Sequence, residues 1–189
     1  MKDVIKNYLA ESADLISALA NDPPYEIQLI AQAIIEAFKN KSKVLIFGNG
    51  GSAADAQHFA AELVGRFKKE RKGFAAIALT TNTSTLTALA NDYDFDMIFK
   101  RQIEALGTPG DIAIGISTSG QAKNVISGLN TARKMGLRTI ALSGQSGTNL
   151  AASTDISLLI QSKDTPHIQE AHISIIHTVC KIVEDAFVS

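Results

Sequence analysis

His58 and Glu62 stand four residues apart, a spacing that puts both side chains on one face of a helix. An imidazole and a carboxylate placed this way can share a divalent metal such as zinc, or form an ordinary surface ion pair. They lie on the helix that follows the segment Gly48-Asn49-Gly50-Gly51-Ser52-Ala53, so both can face whatever that segment binds. Three of the four histidines fall between residues 167 and 177. On an ideal helix Gln169 and His177 are about 80° apart around the axis and about 12 Å apart along it, so one ion between them requires nearly full reach from both. His172 is turned about 140° from His177. That rotation points it away from a common site, toward solvent or a subunit interface. Cys180 follows His177 by three residues, a spacing open to a Cys–His nucleophile. Its neighbours Ile175, Ile176, Val179, Ile182 and Val183 instead predict a buried, inert thiol.

Two further segments offer binding chemistry. In Gly48–Ala53, glycines let backbone approach a ligand closely, and the helix that follows presents free N–H groups and a positive dipole end. The segment fits the loose dinucleotide pattern G-x-G-x-x-G/A, yet the next strand ends in Leu79-Thr80-Thr81-Asn82 without the expected acid. The segment is then read first as a site for another anionic or polar ligand, with a structural turn and a nucleotide as the alternatives. The second segment, Ile116-Ser117-Thr118-Ser119-Gly120, places three hydroxyls and backbone N–H groups together, a neutral cradle for a phosphate monoester. Helix capping is the alternative, although one hydroxyl suffices for a cap. No G-x-x-x-x-G-K-[ST] pattern is present, which removes a P-loop kinase or NTPase. Asn91-Asp92 ends a helical stretch, either as a turn or as a pair of hydrogen-bonding groups for a substrate.

These segments need a scaffold, and the hydrophobic pattern supplies one. Ile5, Tyr8, Leu9, Ile16 and Leu19 form one helical stripe, broken at Asp22-Pro23-Pro24; Ile27, Ile30, Ile34 and Phe38 form a second. These two helices are expected to pack on each other or on another subunit. From Lys43 the pattern becomes short apolar runs at 44–47, 75–79, 112–116, 137–142 and 155–160. Helical stretches at 52–67, 84–90, 94–105, 123–135 and 165–187 lie among and after them. Strands alternating with helices predict an α/β fold with a parallel sheet, and its sites belong beyond the carboxyl ends of the strands.

Composition narrows the function classes. Eighteen basic against nineteen acidic residues give a net charge of −1, which removes the electrostatic case for nucleic-acid binding. A hydrophobic share of 46% argues against disorder. One cysteine cannot form an internal disulfide, which suits a reducing, cytoplasmic setting. The opening MKDVIKNYLAESADL carries acids and lacks the apolar stretch of a signal peptide, and no run is long enough to span a membrane. The expectation is one domain over residues 1–189, acting in the cytoplasm without nucleic acid or membrane. The apolar stripes of the first two helices and the last predict a homo-oligomer.

Taken together, GNGGSAADAQHFAAELVGRF (48–67), LTTNTSTLTALANDYDF (79–95), GDIAIGISTSG (110–120) and IQEAHISIIHTVCKIVE (168–184) resemble the phosphoheptose isomerases, which are built on a single sugar-isomerase (SIS) domain. The resemblance implies a five-stranded parallel sheet flanked by helices. It also implies an N-terminal helical pair (1–40) used in oligomerisation, and a homotetramer whose active sites are shared between subunits. It implies conversion of sedoheptulose 7-phosphate, a phosphorylated seven-carbon sugar, to an aldose through an enediol, as the first step of heptose precursor synthesis. Asn49, Gly50, Gly51, Ser52, Asn91 and Asp92 would contact the substrate, and Ser117, Thr118 and Ser119 its phosphate. His58, Glu62, Gln169 and His177 would hold zinc, with Glu62 and His177 as the proton-transfer pair and Glu62 and Gln169 also touching substrate. One position departs from the pattern: the family commonly has a serine where this chain has Ala122, which cannot supply that hydroxyl, so one phosphate contact is lost, replaced or made by water.

Three competing functions share parts of this pattern. An isomerase of a hexulose or pentulose phosphate is disfavoured by the pairing of His58/Glu62 with Gln169/His177. A non-catalytic SIS protein that binds a replication initiator would lack the acid and the final histidine, both present here as Glu62 and His177. A phosphosugar-sensing module would bind without turnover.

Overall fold

Val44, Leu45, Ile46 and Phe47 are fully buried, as expected of a strand inside a parallel sheet covered on both faces. They belong to a chain whose computed structural model describes residues 1–188. The elements run α1 (Lys2–Asn21), α2 (Tyr25–Lys39), β1 (Val44–Gly48), α3 (Gly51–Val64), β2 (Ala76–Ala78) and α4 (Thr83–Asp92). A 3-10 turn (Phe95–Met97) leads into α5 (Ile98–Leu106), β3 (Ile112–Ser117), α6 (Lys123–Lys134), β4 (Arg138–Gly144), α7 (Thr148–Ala151), β5 (Ile156–Ile160) and α8 (Thr165–Asp185). The five strands form one parallel sheet in the order β2-β1-β3-β4-β5.

Strand alternation sorts the core into two layers. Val44 and Ile46 point to one face, where Ile30, Ile34, Phe59, Leu63, Ile175 and Val179 bring in α2, α3 and α8. Leu45 and Phe47 point to the other, against Phe99, Ile103, Val125 and Leu129 of α5 and α6. Because β1 is flanked by β2 and β3, the chain leaves β1 toward one face through α3 and leaves β3 toward the other through α6. The two loops part at this point, the place where an open parallel sheet forms a ligand crevice.

Several expected boundaries shift for identifiable reasons. The helix expected over 94–105 is split, because the Asp94 carboxylate accepts from Asp96 N–H at 2.8 Å and caps a 3-10 turn first. The helix expected to reach residue 67 stops at Val64, since Phe67 N–H turns to Glu184 (3.0 Å). The one-turn α7 carries no periodic signal and was not anticipated. The two N-terminal helices pack mainly on α8 rather than on each other, with α2 also against β5. α1 buries none of its residues fully, and Val4, Ile5, Tyr8 and Leu9 remain exposed. Among the described residues, no helix is long and apolar enough to cross a membrane.

Candidate active site

The segment after β1 is shaped by two glycines. Gly50 has φ +56°, a left-handed conformation that side chains disfavour, and a Cβ on Gly51 would run into the Gln169 carboxamide. The bend therefore delivers α3 with its N-terminus open and with Gln169 of α8 lying directly against it. Asn49 does not project freely into the cleft. Its amide and that of Asn124 in α6 exchange two hydrogen bonds (2.8 and 2.9 Å), tying the loop after β1 to the first turn of α6.

The loop after β3 forms the facing wall. Ser117 is buried and its Oγ accepts from Gly120 N–H (3.2 Å); Ser119 is exposed and its Oγ accepts from Gln121 N–H (3.2 Å). Both hydroxyls act as turn caps through a lone pair, and each keeps its O–H to donate to an anion. Capping and phosphate binding are thus compatible here. Ala122 is the N-cap of α6 and provides no side-chain hydrogen bond to the helix start. Asn49, Gly50, Gly51, Ser52, Ser117, Thr118, Ser119, Ala122 and Gln169 line a common cleft of about 330 Å³, together with Ile116 and Thr165.

A second cluster lies farther along the same helices. His58 Nε2 is 2.9 Å from His177 Nε2 and 3.3 Å from Glu62 Oε1, so α3 and α8 bring three donors to one point. One ligand atom from each residue lies within 4.8 Å of the others. The donor set fits a divalent cation. Two imidazole nitrogens facing each other can share only one proton, whereas a cation satisfies both together with the carboxylate. Two nitrogens on one tetrahedral zinc are about 3.3 Å apart, so the rings need to part by only a few tenths of an ångström. Phe67 closes one side, its ring centroid 5.7 Å from that of His177.

The remaining expectations fall differently. Gln169 belongs to the cleft beside Gly51, two turns of α8 away from His177. Asn91 and Asp92 are exposed at the end of α4, where Asn91 Nδ2 donates to Asp92 Oδ1 (2.8 Å) outside the cleft. Cys180 is buried, and burial pushes its thiol up to about 12, as an inert cysteine requires. His172 is a correction: it is fully buried, facing neither solvent nor a partner surface. α8 is covered by the sheet on one side and by α1 and α2 on another, so the face turned away from His177 meets β4 rather than water. There His172 Nε2 lies 3.4 Å from the Ser143 carbonyl oxygen.

Sequence reasoning also passed over three residues. Asp55, one turn before His58, is half-buried with its Oδ2 inside and unpartnered, and burial raises it to about 6 against the opposing pull of His58. Its spacing from His58 was a usable signal. Asn124 has no motif, and Arg71 sits in the polar run Lys68–Lys72, which reads as solvated surface.

Comparison with known proteins identifies relatives over nearly the whole chain. Residues 7–144 match the model of the SIS domain. A phosphoheptose isomerase of Pelobacter propionicus is 50% identical over 98% of both chains. A probable phosphoheptose isomerase of Thermoplasma acidophilum is 52% identical over 96% of this chain and 98% of its own. The solved phosphoheptose isomerase of Neisseria gonorrhoeae superposes with a TM-score of 0.91 at 40% identity, over 97% of this chain and 98% of that one.

Proposed function

The chain belongs to the phosphoheptose isomerase family of SIS-domain proteins, and from that premise we propose how its own residues act on a seven-carbon sugar phosphate. It is an aldose–ketose isomerase acting on sedoheptulose 7-phosphate. The product we assign is D-glycero-D-manno-heptose 7-phosphate, formed in the cytoplasm. The isomerases it resembles over nearly full length leave the replication-initiator alternative unsupported.

The observation that carries the mechanism is the convergence of His58, Glu62 and His177 at a distance from the hydroxyl cradle. His58 lies seven residues along α3 from Gly51, about 10 Å of helix, comparable with an extended seven-carbon chain between C1 and its terminal phosphate. Ser117, Thr118 and Ser119 hold the phosphate with hydroxyl and backbone donors. Gly50, Gly51 and Ser52 line the sugar at the helix start, Asn49 holds their loop in place, and Gln169 supplies an amide beside them. Asn91 and Asp92 are assigned to sugar hydroxyls in the assembled oligomer, with sites shared between subunits.

Glu62 removes a proton from C1 of the 2-ketose while His177 protonates O2, giving a cis-enediol. His177 then takes the proton from O1 as Glu62 returns one to C2, leaving the aldehyde at C1. His58, Glu62 and His177 are the ligands proposed for zinc, which when bound would polarise the substrate carbonyl, while Gln169, lying beside Gly51, is left to the substrate. Phosphate binding far from C1 and C2 contributes orientation rather than chemistry.

Residues 1–189 form one SIS domain in this reading, and residues 1–40 contribute to a homotetramer through the exposed stripe of Val4, Ile5, Tyr8 and Leu9. Light scattering at micromolar concentration should give four chains; a monomer would contradict it. Function is tested by following sedoheptulose 7-phosphate by NMR, with and without a chelator. The expected result is accumulation of the aldose and loss of rate on chelation. Turnover of hexulose or pentulose phosphates with none of sedoheptulose 7-phosphate would contradict the substrate assignment.

A further inference from the structure

The last turns of α3 and α8 are joined by a buried ion pair with an unusual distribution of hydrogen bonds. The Arg71 and Glu184 side chains are 4% and 1% exposed, with Nε donating to Oε1 at 3.2 Å. Glu184 also accepts from three consecutive backbone N–H groups, those of Phe67 (3.0 Å), Lys68 (2.8 Å) and Lys69 (2.9 Å). The other end of the guanidinium caps the C-terminus of α3: Nη2 donates to the carbonyl of Glu62 (2.8 Å), and Nη1 to those of Leu63 (2.9 Å) and Gly65 (3.0 Å). These are carbonyls that a helix end leaves without intrahelical partners.

This ties both members of the proton-transfer pair to the ion pair, Glu62 directly and His177 through Phe67. Arg71 bonds the backbone of Glu62 itself. Glu184 lies two turns beyond His177 on α8, and it fixes the N–H of Phe67, whose ring packs against His177. A guanidinium presents five donors in a planar fork and can serve Glu184 and the α3 carbonyls together; a lysine ammonium is a point charge that reaches one or the other.

We propose that Arg71 and Glu184 are positioning residues that set the separation and orientation of Glu62 and His177. The inference rests on the isomerase reading above. It predicts a loss confined to the chemical step, because the phosphate cradle lies at the opposite end of both helices. A displacement of about 1 Å at reacting groups costs on the order of a hundredfold in rate.

The test compares wild type with Arg71→Lys and Glu184→Gln, using Lys69→Gln as a control in the same segment. Each protein is examined by circular dichroism, by kcat and KM for sedoheptulose 7-phosphate per folded subunit, and, after metal removal, by zinc competition against a chelator. The expected result is folded Arg71→Lys and Glu184→Gln with kcat lowered at least ~10-fold and KM within about twofold. Their metal-free forms should also bind zinc about 10-fold more weakly, with the control unchanged. Folded variants with wild-type kcat overturn the proposal. So does a rate loss that merely follows the unfolded fraction, or failure of both variants to fold, since the pair would then serve stability alone. If wild type itself does not turn over the sugar, the isomerase reading fails instead, and the zinc competition still decides whether Arg71 and Glu184 order the three donors.

Discussion

His58 Nε2 and His177 Nε2 face each other at 2.9 Å, although 119 positions separate them in the chain. One ring must present a proton and the other a lone pair, or both must present lone pairs to a cation. With Glu62 Oε1 at 3.3 Å from His58, the site gathers bases at a single point, as an isomerase that shuttles protons between adjacent carbons and oxygens requires.

Ser119 is exposed at the mouth of the cleft, with its hydroxyl proton free to donate. A hydrogen bond to a charged group is worth about 1.5–3 kcal/mol, so Ser119→Ala should raise KM for sedoheptulose 7-phosphate roughly tenfold or more. Because the contact is made equally in ground and transition states, kcat should stay within about threefold. Steady-state kinetics decide the matter: a collapse of kcat at fixed KM would remove Ser119 from the phosphate site.

Ala122 caps α6 without a side-chain acceptor and also lines the cleft. Replacing it with serine should therefore improve two properties at once. An N-cap serine in place of alanine is worth about 1 kcal/mol, or about 2–4 °C in Tm for a domain of this size. The added hydroxyl should also lower KM. A variant with unchanged Tm and KM would show that the residue before α6 neither caps nor reaches the phosphate.

Burial holds His172 down at about 4, from an ordinary 6.5, with the hydrogen bond to the Ser143 carbonyl acting in the opposite direction. The folded protein thus favours the neutral ring. Its contribution is complete above pH 6.5 and is lost as pH falls toward 4, about 3 kcal/mol in all. Asp55, raised by its own burial, acts in the opposite sense over part of this range. The informative quantity is therefore the difference between wild type and His172→Gln. Chemical denaturation at pH 7 and pH 5 should show a smaller loss of stability in the variant, and equal losses would place His172 outside this linkage.

The strands and the two polar loops were legible because their signals are local. Val44–Phe47 and Ile112–Ile116 are apolar runs ending at glycine or serine, and parallel order follows from the helices between them. His58 and Glu62 were legible for the same reason, as a four-residue spacing on one helix. The meeting of His58 with His177 was not, since it depends on how α3 and α8 pack, which no spacing encodes; it entered through resemblance. His172 was misplaced because a helical wheel gives rotation relative to His177 but not which side of α8 meets the sheet. Arg71 was hidden by its neighbours: in Lys68-Lys69-Glu70-Arg71-Lys72 nothing distinguishes the one guanidinium that turns inward to Glu184.

The central claim is that Glu62 is the base that takes the proton from C1. Glu62→Gln keeps the shape and hydrogen-bonding capacity of the side chain and removes its basicity, and it leaves the hydroxyl cradle intact. The decisive measurement is kcat for sedoheptulose 7-phosphate on folded Glu62→Gln, with zinc content determined on the same sample to separate loss of the base from loss of the metal. General base catalysis is worth about 10² to 10⁴ in rate, so kcat should fall at least ~100-fold while substrate still binds. A folded variant that keeps most of its kcat would contradict the assignment of Glu62 and the enediol mechanism built on it.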